Sequence, residues 1–223
     1  MTTKTTVSGG HAVRVQDLRF AYTDVDVIGI DSFELPVGGS CAIIGPSGSG
    51  KSTFVHLLAG LLVASEGSIC IFDQELGALS EAERDRFRGK HIGFIFQQFH
   101  LFPALSVLDN LLLAQRLARG EQDQGKAFDL LSRLNVDSLA KRKPSELSQG
   151  QAQRVAVARA LAHAPKLVIA DEPTSALDEA NAVQTLDLLC ELTDSINAAL
   201  VVVTHDQRVL GRLDSEFRLG GGQ

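Results

Sequence analysis

The chain lacks tryptophan and has a single tyrosine and a single methionine among its 223 residues. It also lacks a long apolar run, because no stretch approaches the roughly 18 to 20 residues that span a bilayer. The first ten residues contain no apolar segment typical of a secretory signal peptide, so we expect residues 1–10 to form a flexible tail. Attachment to a membrane then requires a partner chain.

Positive charge is scarce, since 21 lysines and arginines face 27 aspartates and glutamates, a net charge of −6. Nucleic-acid-binding proteins usually carry a basic face, so the composition argues against a nucleic-acid partner. Cysteine is also scarce. Cys41, Cys70 and Cys190 are odd in number and lie in apolar patterns, which predicts buried free thiols in a reducing compartment.

One glycine-rich segment lies between an apolar strand, Cys41–Ile44, and a helical stretch that starts near Phe54. It reads Gly45-Pro46-Ser47-Gly48-Ser49-Gly50-Lys51-Ser52-Thr53. Glycines let a backbone curl tightly, and its N–H groups together with the helix dipole attract an anion. Lys51 can reach the outer phosphates, and the Ser52 hydroxyl can ligate Mg²⁺. The segment predicts a nucleoside triphosphate site.

Further motifs follow this loop in order. They are Gln97 after the strand Ile92–Phe96, the helix start Leu147-Ser148-Gln149-Gly150-Gln151, the strand end Asp171-Glu172, the segment Ser175-Ala176-Leu177-Asp178, and His205 after the strand Ala199–Val203. Each motif is weak alone, but the ordered set is specific. It resembles the ATP-binding cassette, the motor subunit of ABC transporters, from about Val13 to Leu219. The stretches Leu79–Arg84 and His91–Pro103 are most similar to stand-alone bacterial cassettes of the lipoprotein-release and macrolide-export type.

Four side chains are predicted to carry the chemistry: Lys51, Gln97, Glu172 and His205. A carboxylate at Glu172 can orient the attacking water or accept its proton. Gln97 has both a donor and an acceptor, which suits a sensor of the γ-phosphate; Gln98 is the adjacent alternative. His205 follows a strand end, where ligands of α/β proteins bind, and can donate to the γ-phosphate.

The predicted Mg²⁺ ligands are Ser52, Gln97 and Asp171. Asp171 ends its strand, where its carboxylate can hold the metal directly or through water. The predicted cofactors are therefore ATP and Mg²⁺.

The resemblance implies three more roles. The Ser148 hydroxyl and the N–H groups of the following helix form a second anion site, which closes over ATP held by the opposite subunit. Gln149 departs from the commoner glycine, so we expect this closure to be tuned rather than lost. Ser175–Asp178 corresponds to the D-loop. Tyr22 corresponds to the aromatic residue that stacks on adenine, with a core-packing tyrosine as the alternative.

The predicted fold is α/β, a P-loop NTPase core with a mainly parallel sheet, a small N-terminal antiparallel β region and an inserted helical subdomain. A single domain is expected over residues 11–223, with the core in 11–97 and about 151–223 and the helical lobe in about 98–150. Strands Val13–Phe20 and Ile28–Leu35 are expected to flank a loop, Ala21–Val27. Ser80 and Glu83 form a capping-box pattern that predicts a helix over Glu81–Arg88.

The resemblance implies a motor subunit that dimerises, with a second copy or a related cassette, around two ATP molecules. It implies a separate integral membrane permease as partner and a location on the inner face of the cell membrane. The aromatic cluster Phe96, Phe99, Phe102 and Pro103 either packs inside the helical lobe or lines a groove for a permease helix.

Two other functions fit the sequence less well. A non-transport cassette of DNA repair or translation usually has long coiled coils, a second cassette or basic extensions, which this sequence lacks. A P-loop kinase for small molecules has no reason to carry the Ser148 motif and His205.

Overall fold

The computed structural model describes residues 10–22, 25–118, 120–174, 179–205 and 211–220. Its strands are β1 (His11–Tyr22), β2 (Val25–Pro36), β3 (Ser40–Ile44), β4 (Glu66–Ile71), β5 (Gln74–Glu75), β6 (Ile92–Ile95), β7 (Leu167–Asp171), β8 (Ala199–Val203) and β9 (Ser215–Arg218). Its α-helices are α1 (Lys51–Leu58), α2 (Glu81–His91), α3 (Val107–Leu117), α4 (Gln124–Arg133), α5 (Gln149–Leu161) and α6 (Glu179–Ser195), and two 3₁₀ turns cover Asp137–Leu139 and Pro144–Glu146.

An antiparallel sheet holds the N-terminal part of the chain, with strand order β2-β1-β4-β5. The predicted loop Ala21–Val27 was wrong at both of its ends, because β1 continues to Tyr22 and β2 begins at Val25, with the two strands paired through Tyr22↔Val25. Tyrosine is one of the residue types that favour strand conformation. A register shift between Phe20 and Ala21 interrupts the alternation of inward and outward side chains, so the sequence pattern does not continue to the end of β1. The short strand β5 was not predicted at all.

A second sheet has the order β6-β7-β8-β3-β9, and all its neighbouring strands are parallel. Strands β7 and β8 are buried along their whole length, which explains their continuous apolar sequences. Because the strands are parallel, their carboxyl ends meet at one edge of the sheet. The phosphate loop after β3, Gln97 after β6, Asp171 and Glu172 at the end of β7, and His205 after β8 all lie at that edge. The predicted α/β class is confirmed.

Two apolar cores cover the two faces of this sheet. The first lies between the antiparallel sheet, α1 and the parallel sheet, with Phe54 and Leu57 fully buried in it. The second joins the opposite face of the sheet to α3, α4, α5 and α6, around side chains such as Leu111 and Leu131. The helices α1 and α5 therefore hold their N-termini at fixed positions relative to the sheet.

Two helix starts bear on the predictions. The capping box at α2 is confirmed, since the Ser80 N–H donates to the Glu83 carboxylate at 3.0 Å. The helical segment predicted to begin right after Gln97 starts later, at Val107, because Ser106 caps α3 by accepting from the Asp109 N–H. The intervening segment is an irregular loop, bound through the buried Asn110 side chain to the backbone of residues 102, 105 and 106. The division of the chain into a core and a helical lobe stays a prediction.

None of the helices in the described ranges has both the length and the apolar character that crossing a membrane requires.

Candidate nucleotide site

The phosphate loop connects β3 to α1 and depends on glycine at three positions. Gly48 and Gly50 have φ angles of +80° and +87°, which side-chain-bearing residues rarely adopt. Gly45 has a different reason, because a Cβ there would lie 2.7 Å from both the Leu219 carbonyl oxygen and the Ser49 hydroxyl. Glycine is therefore required at Gly48 and Gly50 by the backbone conformation, and at Gly45 by the lack of space for a side chain.

Lys51 is buried beneath this loop. Its Nζ donates to the carbonyl oxygens of Gly45 and Pro46, each at 2.9 Å. The ammonium is thus held within the curve of the loop, next to the N-terminus of α1. A phosphate would offer it a charged acceptor, which makes stronger hydrogen bonds than neutral carbonyls do.

Ser52 and Asp171 meet across the gap between α1 and β7. The Ser52 hydroxyl donates to Oδ1 of Asp171 at 3.4 Å, and Asp171 is 6% exposed. Burial raises the pKa of the Asp171 carboxyl, and the Ser52 hydrogen bond and the nearby His56 and Lys51 oppose this rise. A hydroxyl and a carboxylate are the oxygen ligands that Mg²⁺ prefers, so this pair fits that metal ion.

Glu172 and His205 form a contact that the sequence analysis had missed. The His205 Nδ1 lies 2.9 Å from Oε1 and 2.8 Å from Oε2 of Glu172. The Glu172 N–H donates to the Val203 carbonyl at 3.0 Å, and the backbone of Glu172 has a φ of +51°. Since β7 and β8 are adjacent, with Asp171 opposite Val203, the residues that follow the two strands are brought together. A predicted β7–β8 pairing would have revealed this contact.

Gln97 and Tyr22 are both exposed. Gln97 lies two residues beyond β6, whose residue Ile95 pairs with Ala170 of β7, so it is at the same sheet edge as Asp171. Tyr22 ends β1 with 49% of its surface exposed, and its ring packs edge-to-face on Phe20 with centroids 4.8 Å apart. The alternative of a core-packing tyrosine is therefore wrong, and stacking on adenine stays a prediction.

The Ser148 motif begins α5. The Ser148 hydroxyl accepts from the Gln151 N–H at 3.3 Å, and the Ser148 N–H donates to the Gln151 side chain at 2.9 Å. Ser148 and Gln149 are exposed, and the first N–H groups of a helix have no partner within it. This end of α5 can thus receive an anion. The predicted D-loop residues 175–178 lie outside the described residues.

Two members of the aromatic cluster beside Gln97, Phe96 and Phe102, line an open cavity of about 530 Å³, whereas Phe99 and Pro103 are not part of its lining. We call it the aromatic cavity. Its walls include Phe94, Phe96, His100, Phe102, Leu113 and Leu117. Phe102 is half exposed, so the cluster is not simply packing inside the helices.

The cysteines agree only in part with the prediction. All three thiols are free, but only Cys41 is buried, whereas Cys70 and Cys190 are half-buried. Burial also raises the pKa of the Cys190 thiol, to about 11.

Comparison with known proteins identifies the family. The ABC transporter family model matches residues 28–175, which is more than half of the chain. The chain belongs to the ABC transporter family. It is the ATP-binding subunit of such a transporter, an ATPase, as the ordered motifs predict.

Its curated relatives are transporter subunits as well. The lipoprotein-releasing system ATP-binding protein LolD of Hydrogenovibrio crunogenus is 43% identical over 87% of this chain and 85% of its own. LolD of Paramagnetospirillum magneticum is 36% identical over 95% of this chain and 96% of its own. These relatives give no support to a function in DNA repair or translation.

A solved structure has the same fold. An ATP-binding cassette dimer in a post-hydrolysis state, bound to ADP and Pi, superposes with a TM-score of 0.86 at 33% identity. The alignment covers 94% of this chain and 95% of that one. The predicted fold is thus confirmed against an experimental structure.

Proposed function

We propose that this ABC transporter ATPase drives a lipoprotein-releasing system by hydrolysing MgATP between two cassettes. The observation that carries the chemical part is the Glu172–His205 contact beside the Ser52–Asp171 pair. The proposed base Glu172 and the proposed γ-phosphate donor His205 lie at one edge of the sheet. The proposed metal ligands Ser52 and Asp171 lie at the same edge. The names and high coverage of the LolD relatives support the lipoprotein-releasing assignment.

Binding begins at the phosphate loop. The loop N–H groups and the N-terminus of α1 hold the phosphates of ATP, and the Lys51 ammonium moves from its loop carbonyls to the outer phosphates. Tyr22 stacks on the adenine. Lys51 is buried, and its bonds to the Gly45 and Pro46 carbonyls keep the ammonium inside the loop that receives the phosphates.

Ser52 and Asp171 would hold Mg²⁺, with Gln97 as a further ligand from the β6 edge. When bound, the metal ion would supply positive charge that offsets the negative charge of the outer phosphates. Burial raises the pKa of the Asp171 carboxyl because it disfavours the charged form, and a bound cation would stabilise that charged form.

Glu172 orients the attacking water and accepts its proton. His205 fixes the Glu172 carboxylate through the contact at 2.8–2.9 Å and donates to the γ-phosphate. The Glu172 side chain is only 14% exposed, so bulk water competes little with a single positioned one. The left-handed backbone at Glu172 directs this side chain out of the strand.

The second cassette completes the site. The capped, exposed start of α5 supports a role for Ser148 and Gly150 on ATP held by the partner copy, and Ser175–Asp178 is proposed as the D-loop from its sequence alone. The dimeric solved relative supports the same assembly. Mixed dimers that carry Ser148→Arg in one copy should lose turnover, and turnover per molecule should rise with protein concentration. A turnover per molecule that is constant on dilution, with monomers only in the presence of ATP, would refute the dimer.

The aromatic cavity receives a segment of the integral membrane permease. This contact holds the subunit peripherally on the inner face of the cell membrane. Its apolar walls and half-exposed Phe102 support a buried protein contact rather than a solvated surface. Co-purification with one membrane protein that is lost on Phe102→Asp, with ATPase activity retained, tests this part.

A further inference from the structure

Four aromatic rings form a continuous row between α1 and the loop after β6. His56 and Phe94 have ring centroids 5.8 Å apart, Phe94 and Phe96 4.3 Å, and Phe96 and His100 5.0 Å. His56 lies on α1 and Phe94 on β6, and Phe96 follows directly after the end of that strand. We call these four residues the ring row.

The inner end of the ring row lies beside the proposed metal ligands. His56 is four residues after Ser52 on α1, so both side chains are on the same face of the helix. His56 is also close enough to Asp171 to oppose the rise in its carboxyl pKa that burial causes. Phe94 is paired with Ile169 on β7, two residues before Asp171. The innermost rings therefore pack against both elements that present the Ser52–Asp171 pair.

The outer end of the ring row is part of the aromatic cavity. Phe94, Phe96 and His100 all line it. His100 has a φ of +47°, uncommon for a residue with a side chain, and its carbonyl accepts from Arg159 of α5 at 2.6 Å. A segment that fills the aromatic cavity can therefore contact these rings, and a shift of His100 is opposed by the hydrogen bond between its carbonyl and Arg159 of α5.

We propose that His56 is a positioning residue, and that the ring row transmits the state of the aromatic cavity to the Ser52–Asp171 pair. Contact between rings carries the effect, because packed side chains cannot move independently of their neighbours. A displaced Phe96 displaces Phe94, which moves His56 and with it the helix face that carries Ser52. This inference rests on the proposed metal role of Ser52 and Asp171.

The first test measures metal affinity without catalysis. Binding of Mn²⁺ to the protein with a non-hydrolysable ATP analogue is followed by the loss of the free-Mn²⁺ electron paramagnetic resonance signal. We expect His56→Leu, which removes the ring, to weaken Mn²⁺ binding by about 2- to 30-fold, the range typical of coupling through packed networks. His56→Phe keeps a ring in the row and should restore the affinity.

A matched control removes a histidine ring outside the row. His91 packs against Phe87 at 4.8 Å on α2, and His91→Leu should leave Mn²⁺ affinity unchanged. An equal loss in His91→Leu, or no rescue by His56→Phe, would overturn the positioning role. Thermal melting of each variant shows whether it is folded; if His56→Leu is not, Phe96→Leu interrupts the same row at a half-buried position.

The second test asks whether the two ends are coupled. His100→Ala should change Mn²⁺ affinity in the otherwise unaltered protein and have no effect in the His56→Leu background. The same fold-change in both backgrounds would overturn transmission along the row. Failure of the unaltered protein to bind Mn²⁺ with the ATP analogue would instead refute the proposed metal site, so the two failures are distinguishable.

Discussion

Replacing Glu172 by glutamine removes a charged oxygen from its contact with His205 and changes little else in shape. A general base contributes about 10²- to 10⁴-fold to turnover, equivalent to roughly 2.7–5.4 kcal/mol at the transition state. Glu172 is only 14% exposed, so solvent offers a poor substitute base. We expect Glu172→Gln to lose turnover in this range and to accumulate as an ATP-bound dimer.

The contact with His205 gives the prediction a second, independent part. A hydrogen bond to a charged group is worth about 1.5–3 kcal/mol, and the 69% exposure of the His205 side chain argues for the low end. His205→Ala should therefore reduce turnover by about 10-fold or more, at 1.4 kcal/mol per decade. In the Glu172→Gln background the same change should add little, because residues that act as a unit are not additive.

Turnover is measured as phosphate release at saturating ATP, with nucleotide affinity determined separately by calorimetry. Glu191→Gln is the matched control, since Glu191 is an exposed glutamate whose nearby cation is Arg133 on α4, at 3.5 Å. Turnover near that of the unaltered protein in Glu172→Gln would exclude Glu172 as the base. Multiplicative losses in the double variant would show that the observed contact has no part in catalysis.

Three further outcomes follow from the geometry. Tyr22→Ala should weaken ATP binding by about 5- to 140-fold, from 1–3 kcal/mol of stacking, while Tyr22→Phe stays near neutral; quenching of the single tyrosine's emission by nucleotide measures this. Gly45→Ala should lower stability by about 1–3 kcal/mol in urea unfolding, because its Cβ meets the Leu219 carbonyl at 2.7 Å. Asp171→Asn should raise the melting temperature of the nucleotide-free protein at neutral pH. The Asp171 pKa is higher in the folded state than its ordinary value of 3.8, so between these two pKa values the folded state binds more protons than the unfolded state. The free energy of unfolding therefore falls as the pH rises through this range. An unchanged ATP affinity in Tyr22→Ala would contradict the first prediction, and an unchanged stability in Gly45→Ala the second. A lower melting temperature in Asp171→Asn would contradict the third.

The sequence predicted the elements that have strong local signals. Ser80 and Glu83 revealed the start of α2, and the buried apolar run Ala199–Val203 is a strand with those bounds. The glycine-rich loop was recognisable because its conformation needs glycine at Gly48 and Gly50.

Pairing between distant segments was harder to predict. The ladder that extends β1 to Tyr22 depends on a strand that follows it, and the Glu172–His205 contact depends on the order of strands in the sheet. Local patterns carry no information on these contacts. The start of α3 differs, because Ser106 and Asp109 repeat the spacing of Ser80 and Glu83 and so mark this N-cap within the sequence itself.

The two bonds from Lys51 to the carbonyls of Gly45 and Pro46 have a consequence for ion selectivity. Any anion that enters the loop has to draw the ammonium away from acceptors that the protein itself provides. A singly charged ion such as chloride offers the ammonium one acceptor in place of two carbonyl oxygens, whereas a polyphosphate offers several charged oxygens at once. The loop should thus favour a polyphosphate over chloride before the adenine is recognised.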